Sequence, residues 1–380
     1  MRRLQDKLAQ RLFNSFRKNE TALHDLAYLF WECTRRCNLS CIHCGSDCKA
    51  DAETADAPLP DMPFADFLNA ILPLQKAYKR DSIIIAITGG EALLRKDLAD
   101  CGRKLRENGF RFGLVTNGYD YTPDAHRELL DAGMCSITLS LDGLEESHNW
   151  LRRNGESFRR ATDALKLIAS SKNLVYDVIT CVNQRNIGEL ESLKDFLLSQ
   201  NVAAWRFFTI SPIGRAANIA DLYLSGAQIK RLMDFIAKLR EEKTMSATFS
   251  CESYLGEYEK KVRDEHFFCR AGIQIASVLI DGSISACPNI DRAFVQGNIY
   301  KDDFLDVWNN RFGIMRDRGW TQTGLCLGCE DYKNCPGGAM HLWNEKKDGI
   351  MVCLHQKMKQ SRAKPSSNRR VKPIPAVFVF

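Results

Sequence analysis

Hydrophobic positions follow two rhythms along this chain. Over residues 2–18, Leu4, Leu8, Leu12 and Phe16 recur every four positions with Arg and Lys between them. That spacing predicts an amphipathic helix, docked on the body or else laid on a membrane surface or a partner. From Leu26 the rhythm changes to short apolar, β-rich runs: LAYLFWE (26–32), SIIIAIT (82–88), FRFGLVT (110–116), CSITLSL (135–141), LVYDVITCV (174–182) and AAWRFFTI (203–210). Helical stretches separate them, so six strands joined by right-handed βα units predict a parallel α/β sheet. Such repeats open into a doubly wound sheet or curl into a barrel, where chemistry collects on the loops after the strands.

Past about Ser250 the grammar changes. VLIDGSISAC reads as two short strands around Asp281-Gly282, a hairpin signal that opens a smaller domain. The expected organisation is a helix over 1–25, a βα domain over 26–245, a cysteine-rich domain over 250–357 and a basic, disordered tail over 358–380. No internal repeat of fixed period is visible.

Charge changes the picture only locally. The net charge is +6, yet Lys357, Lys359, Arg362, Lys364, Arg369, Arg370 and Lys372 all lie beyond Leu354 with no acid among them, which leaves the rest at −1. A near-neutral body offers no basic face for nucleic acid. No run approaches the roughly 18 apolar residues of a membrane span, and the first residues lack a signal-peptide core, so the expected location is cytoplasmic. In that compartment 15 cysteines in 380 residues do not read as a disulfide scaffold, and close spacings read as metal or redox sites.

Two cysteine groups carry the chemistry. Cys37, Cys41 and Cys44 follow the first strand at 3-then-2 spacing and supply three thiolates on one loop. A closed structural zinc site needs four ligands, whereas three thiolates can hold a four-iron cube and leave one iron open. Cys33 and Cys48 flank this triad outside its spacing and read as bystanders. The second group is Cys269, Cys287, Cys326, Cys329, Cys335 and Cys353, with Cys251 upstream. Cys101 and Cys135 read as core residues. Cys181, at the end of the fifth strand, faces the expected cavity mouth, and Arg215 in the loop after the sixth strand is placed to hold a carboxylate or to form a surface ion pair.

The string CNLSCIHC, with ITGGEAL after the second strand and SLDG after the fourth, resembles the radical S-adenosylmethionine (SAM) superfamily. The resemblance implies a partial six-stranded (β/α)6 TIM-like barrel, open on one side. It implies a [4Fe-4S] cluster on Cys37, Cys41 and Cys44, with SAM chelated at the open iron. It also implies cofactor contacts from His43 near the adenine, from Gly89, Gly90 and Glu91 near the methionyl group, from Asn117 at the third strand end, and from Ser140 and Asp142 at the ribose. Ala92 stands where relatives often have proline.

The C-terminal cysteines, with GNIYKDDFLDVWNN between them, resemble the SPASM auxiliary-cluster domain. Carried over by position, Cys326, Cys329, Cys335 and Cys353 make a complete ligand set for one auxiliary [4Fe-4S] cluster, and zinc would equally accept four thiolates. Cys269 and Cys287 belong to a second cluster whose further ligand is replaced by Ala339, with Cys251 or a remote His341 as substitutes. Pro288, followed by Asn289, stands where sulfatase-maturing relatives carry an acidic residue that acts as a base, with Asp291 close by. The implied function is hydrogen-atom abstraction from a peptide or protein side chain, with a flavodoxin or ferredoxin as reductant and no catalytic side chain assigned. The alternatives are a haem precursor or other small molecule as substrate, and, in another class, a non-catalytic iron-sulfur redox protein or a zinc-stabilised binding module.

Overall fold

The computed structural model describes residues 2–45, 60–250 and 252–361, so Cys48 and Cys251 lie outside the described residues. Ten strands form one sheet. They are β1 (Tyr28–Glu32), β2 (Ile84–Thr88), β3 (Arg111–Thr116), β4 (Ser136–Ser140), β5 (Val175–Val182), β6 (Ala204–Thr209), β7 (Ser246–Phe249), β8 (Ile275–Val278), β9 (Ser283–Ser285) and β10 (Gly297–Asn298). Their order is β10-β9-β8-β1-β2-β3-β4-β5-β6-β7, and every neighbour from β8 to β7 is parallel. The ends of this order do not meet, so the TIM-like curl stays open on one side.

Central strands are nearly continuous runs of Ile, Leu, Val and Phe because helices cover the outer face and side chains fill the inner one. Ile85, Ile87, Phe112, Leu139, Val178 and Phe207 are all essentially inaccessible. The covering helices each bury one stripe, such as Leu98, Cys101 and Leu105 on Leu98–Glu107, and Ala161, Leu165 and Ile168 on Ser157–Ala169. Cys101 thus sits in the core, and Cys135 Sγ contacts the Phe112 carbonyl at 3.1 Å.

The structure departs from the sequence reading in two places. A seventh consecutive parallel strand, β7, follows the long helix Gly226–Glu242. Its sequence, SATF, is too short and too weakly apolar to announce itself. The hairpin expected to open the smaller domain also extends the sheet: β8 pairs in parallel with β1, Tyr28 opposite Ile275 and Trp31 opposite Val278. The Glu32 carboxylate secures this junction by accepting the Ile280 N–H at 2.9 Å.

At the N-terminus the helix runs Arg2–Leu23. It docks through Phe13, Asn14 and Arg17, not through the Leu8, Leu12 and Phe16 row, which faces solvent. At the other end Leu354–Gln360 is helical, so residues 358–360 of the expected tail form its last turn, and 362–380 lie outside the described residues.

Candidate cluster and cofactor site

All three triad cysteines sit on the loop leaving β1, at the C-terminal edge of the parallel strands. Four separate elements hold this loop. Gly90 N–H donates to the Thr34 carbonyl and Glu91 N–H to the Arg36 carbonyl, both at 2.8 Å. Ile42 N–H reaches the Leu151 carbonyl at 3.0 Å. Arg215 gives its N–H to the Cys44 carbonyl at 2.9 Å and its Nε–H to the Cys41 carbonyl at 2.7 Å. Asn117 Nδ2 donates to Asn38 Oδ1 at 2.8 Å. Arg215 therefore clamps the cysteine loop.

Gly89 and Gly90 explain themselves sterically. Gly89 has φ of +149°, and a Cβ there would run into the Thr34 carbonyl; a Cβ on Gly90 would run into that of Arg36. Only bare backbone lets the β2 end approach the cysteine loop this closely. Glu91 is fully buried. Its Oε1 accepts the Thr116 hydroxyl at 2.8 Å and the Leu93 N–H at 3.2 Å, and its Oε2 accepts the Asn117 N–H at 2.8 Å. Burial pushes its carboxyl upward against these hydrogen bonds. One acceptor position, on Oε2, stays open.

Burial also pushes the Cys37 thiol up to about 11 and raises Cys41, and each feels its neighbours in the triad. Burial and mutual repulsion thus favour the neutral thiols, and holding all three as thiolates would take a strongly positive centre among them, which the iron of a cluster would provide. Beside them, His43 Nδ1 is buried with no hydrogen-bond partner among the described residues, and burial lowers this imidazole to about 4. An orphaned ring nitrogen beside three convergent thiols fits a nitrogen- and oxygen-rich ligand on the cluster's open side.

Asp142, at the end of β4, is completely inaccessible. Its Oδ2 accepts Nε and Nη2 of Arg152 at 2.7 and 2.6 Å, and its Oδ1 accepts the Cys181 N–H at 2.9 Å. Burial opposes its charge, but the Arg152 guanidinium overcomes this and holds the carboxyl below its ordinary value. Arg152 Nη1 in turn lies 3.7 Å from Cys41 Sγ. His43, Asp142 and Cys181 bring one ligand atom each within 4.8 Å of one another, so Cys181 does border the site. Ser140, the last residue of β4, is buried two positions before Asp142.

Arg152 escaped the sequence reading because LRRNG looks like a solvated helix end. The signal was available in the spacing: His148, Leu151 and Arg152 share the buried face of Glu145–Arg152, while Arg153 ends the helix in the left-handed region at φ 53°. A second unforeseen group is Glu252, beyond β7. Its carboxylate is buried, accepts the Thr209 N–H at 2.7 Å and the Thr209 hydroxyl, and is pushed by burial to about 7.

In the C-terminal region Cys326, Cys329, Cys335 and Cys353 line one small cavity. Burial raises Cys326 to about 11 and Cys335 to about 12, and Cys353 bears on both. Gly338 N–H points at Cys335 Sγ at 3.2 Å. Zinc bound tetrahedrally at about 2.3 Å would set its sulfurs roughly 3.8 Å apart. Among the described residues no three of these thiols bring their sulfurs within 4.8 Å of one another. Cys269 is buried on the wall of a different cavity, shared with Cys335 and Gly338. Ala339 is inaccessible, its N–H given to the Glu252 carbonyl at 3.0 Å, and it offers no ligand atom beside Cys269 or Cys287.

Between the two cysteine regions lies a cavity of about 400 Å³ at the open strand ends. Arg35 and Gly45 of the cysteine loop, Ile213 after β6, Asn289 and Asp291 after β9, and His341 line it. Burial lowers His341 to about 4, so its imidazole is neutral near pH 7.

The comparisons agree with this layout. The model of the radical SAM superfamily matches residues 31–197, and that of an iron-sulfur cluster-binding domain, SPASM, matches 269–330. The chain is 27 % identical over 315 residues to a mycofactocin maturase, MftC, of Mycobacterium tuberculosis, covering 82 % of this chain and 78 % of that protein. It is 25 % identical over 328 residues to an AdoMet-dependent heme synthase of Methanosarcina barkeri, covering 81 % and 89 %. In fold it resembles anSMEcpe with bound AdoMet, at TM-score 0.67 and 16 % identity over 88 % of this chain and 95 % of that one. It also resembles SuiB of Streptococcus suis bound to precursor peptide SuiA, at TM-score 0.65 and 17 % identity over 87 % and 76 %.

Proposed function

Since this chain belongs to the radical SAM superfamily and carries an iron-sulfur cluster-binding domain towards its C-terminus, we propose that it removes a hydrogen atom from a peptide or protein side chain held in the cavity above β1 and β6. When bound, a cluster with SAM on its open iron supplies the 5′-deoxyadenosyl radical for that step. The observation that carries this reading is the cysteine loop itself, which places Cys37, Cys41 and Cys44 at the strand ends beside the buried His43 imidazole and lends Arg35 and Gly45 to the wall of that cavity.

In this reading Cys37, Cys41 and Cys44 hold the cluster, and Arg215, Asn117 and the Gly89-Gly90 backbone keep their loop in place. His43 Nδ1 and the free Oε2 position of Glu91 accept from or donate to SAM, and Ser140 and the remaining Oδ1 position of Asp142 face its ribose. Cys326, Cys329, Cys335 and Cys353 hold one auxiliary [4Fe-4S] cluster. Cys269 and Cys287 without a partner at Ala339 hold no second complete one. A flavodoxin or ferredoxin supplies the electron.

The relative named a maturase and the likeness to a peptide-bound structure support a peptide substrate. One observation favours a haem precursor instead, the similarity over most of the length of a heme synthase. The test is anaerobic. Reconstituted protein with dithionite and SAM forms 5′-deoxyadenosine, and the Cys37→Ala variant forms none; a cluster-loaded wild type that neither binds SAM nor forms it overturns the reading. Stimulation by peptides encoded beside the gene, and not by iron-coproporphyrin, selects the peptide.

A further inference from the structure

The N-terminal helix presents its faces in an unusual sense. Its 22 residues span about 33 Å. One side is anchored: the Phe13 ring meets Phe268 edge-on with centroids 6.4 Å apart, and Asn14 Nδ2 donates to Asn334 Oδ1 at 3.2 Å. Arg17 donates to the Asn334 and Lys333 carbonyls at 2.8 and 2.7 Å, and Glu20 pairs with the Gln274 side chain. The opposite side carries the apolar row. Leu8 is 57 % exposed, Leu12 63 %, Phe16 41 % and Leu23 62 %. Of the other described residues exposed along the helix, Arg11 and Lys18 are cations and none is an acid.

A second observation concerns charge. The turn Asp331–Asn334 that anchors Arg17 also anchors the C-terminal helix, through His355 Nε2 at 2.9 Å and Lys359 Nζ at 3.0 Å from Asp331 Oδ2. The last described residue, Ser361, ends that helix, so the chain's remaining 19 residues start on the side of the molecule that bears the N-terminal helix. They contain Arg362, Lys364, Arg369, Arg370 and Lys372 and no acid. An apolar row with cations beside it, next to the origin of a polybasic segment, matches a surface that is apolar beneath and anionic above. A second copy meeting this face would bring Arg11 and Lys18 against their equivalents, which like-charge repulsion opposes.

We infer that the Leu8, Leu12 and Phe16 face of the N-terminal helix docks in the plane of an anionic phospholipid bilayer, with Arg11 and Lys18 on its headgroups. No helix among the described residues is long and apolar enough to cross a membrane, so the contact is one of lying on the surface. This is independent of the reaction catalysed.

The test is flotation of the full-length, cluster-loaded protein with vesicles of phosphatidylcholine alone or of equal parts phosphatidylcholine and phosphatidylglycerol. The wild type floats with the anionic vesicles only. The triple variant Leu8→Ser, Leu12→Ser, Phe16→Ser binds at least about tenfold more weakly, with iron content and circular dichroism unchanged. Arg11→Glu with Lys18→Glu, which leaves the apolar row intact, weakens anionic binding as well, and salt does the same to the wild type. Absence of flotation, flotation indifferent to the triple variant, or a dimer that the triple variant dissolves while vesicles are ignored would each overturn the inference.

Discussion

At the residue scale, chemistry that repeats at fixed spacing was legible and chemistry that depends on burial was not. Cys37, Cys41 and Cys44 stand out because their close, fixed 3-then-2 intervals are of the kind that ligation of one metal centre would impose. Arg152 and Glu252 do not, since a charged residue in sequence reads as solvated until the fold removes its water. Both lead to measurable outcomes. Asp142 and Arg152 form a buried pair in which two guanidinium N–H groups share Oδ2, so Arg152→Met or Asp142→Asn alone strands a buried carboxylate or a buried cation and costs about 3–5 kcal/mol. The double variant recovers much of that loss, and denaturant unfolding of the four proteins measures the coupling. Glu252 titrates near 7 in the fold because burial disfavours its charge. The folded state therefore keeps a proton that the unfolded chain releases near 4.5, and stability falls by about 3 kcal/mol as pH rises from 4.5 to 7. Glu252→Gln removes this slope, so its thermal midpoint gains on the wild type between pH 5 and 8.

At the element scale, long apolar runs gave away β1 to β6, because a strand covered on both faces must be apolar at nearly every position. The four residues of β7 lack that mark: they are identified by their pairing with β6, Trp205 opposite Ala247, which only three dimensions reveal. The same limit applies to the row Leu8, Leu12 and Phe16, whose period predicts a helix but not which side of it meets the body. Loops follow a different logic. The β2 end and the cysteine loop touch backbone to backbone, so a single methyl at Gly90 has no room beside the Arg36 carbonyl. Gly90→Ala displaces the loop and costs the N-terminal cluster, leaving about half the wild-type iron. Iron analysis and the loss of SAM binding check this, while absorbance from the auxiliary cluster persists.

At the scale of the whole molecule, two cysteine regions far apart in sequence frame one cavity because the sheet passes from one to the other without a break. If, as proposed, Cys269 and Cys287 hold no complete cluster, the expected metal content is about eight iron atoms per chain and not twelve. Cys326→Ala with Cys335→Ala reduces this to about four and leaves SAM binding intact. Mössbauer spectra and colorimetric iron assays distinguish these counts. The pairing of β8 with β1 has a practical meaning for anyone cutting the gene into pieces. A fragment ending near residue 250 would bare one flank of β1, a Leu-Phe-Trp strand that carries the cysteine loop. That raw flank would seek another chain to pair with, so such a fragment is expected in inclusion bodies, and the two halves are better expressed together than apart.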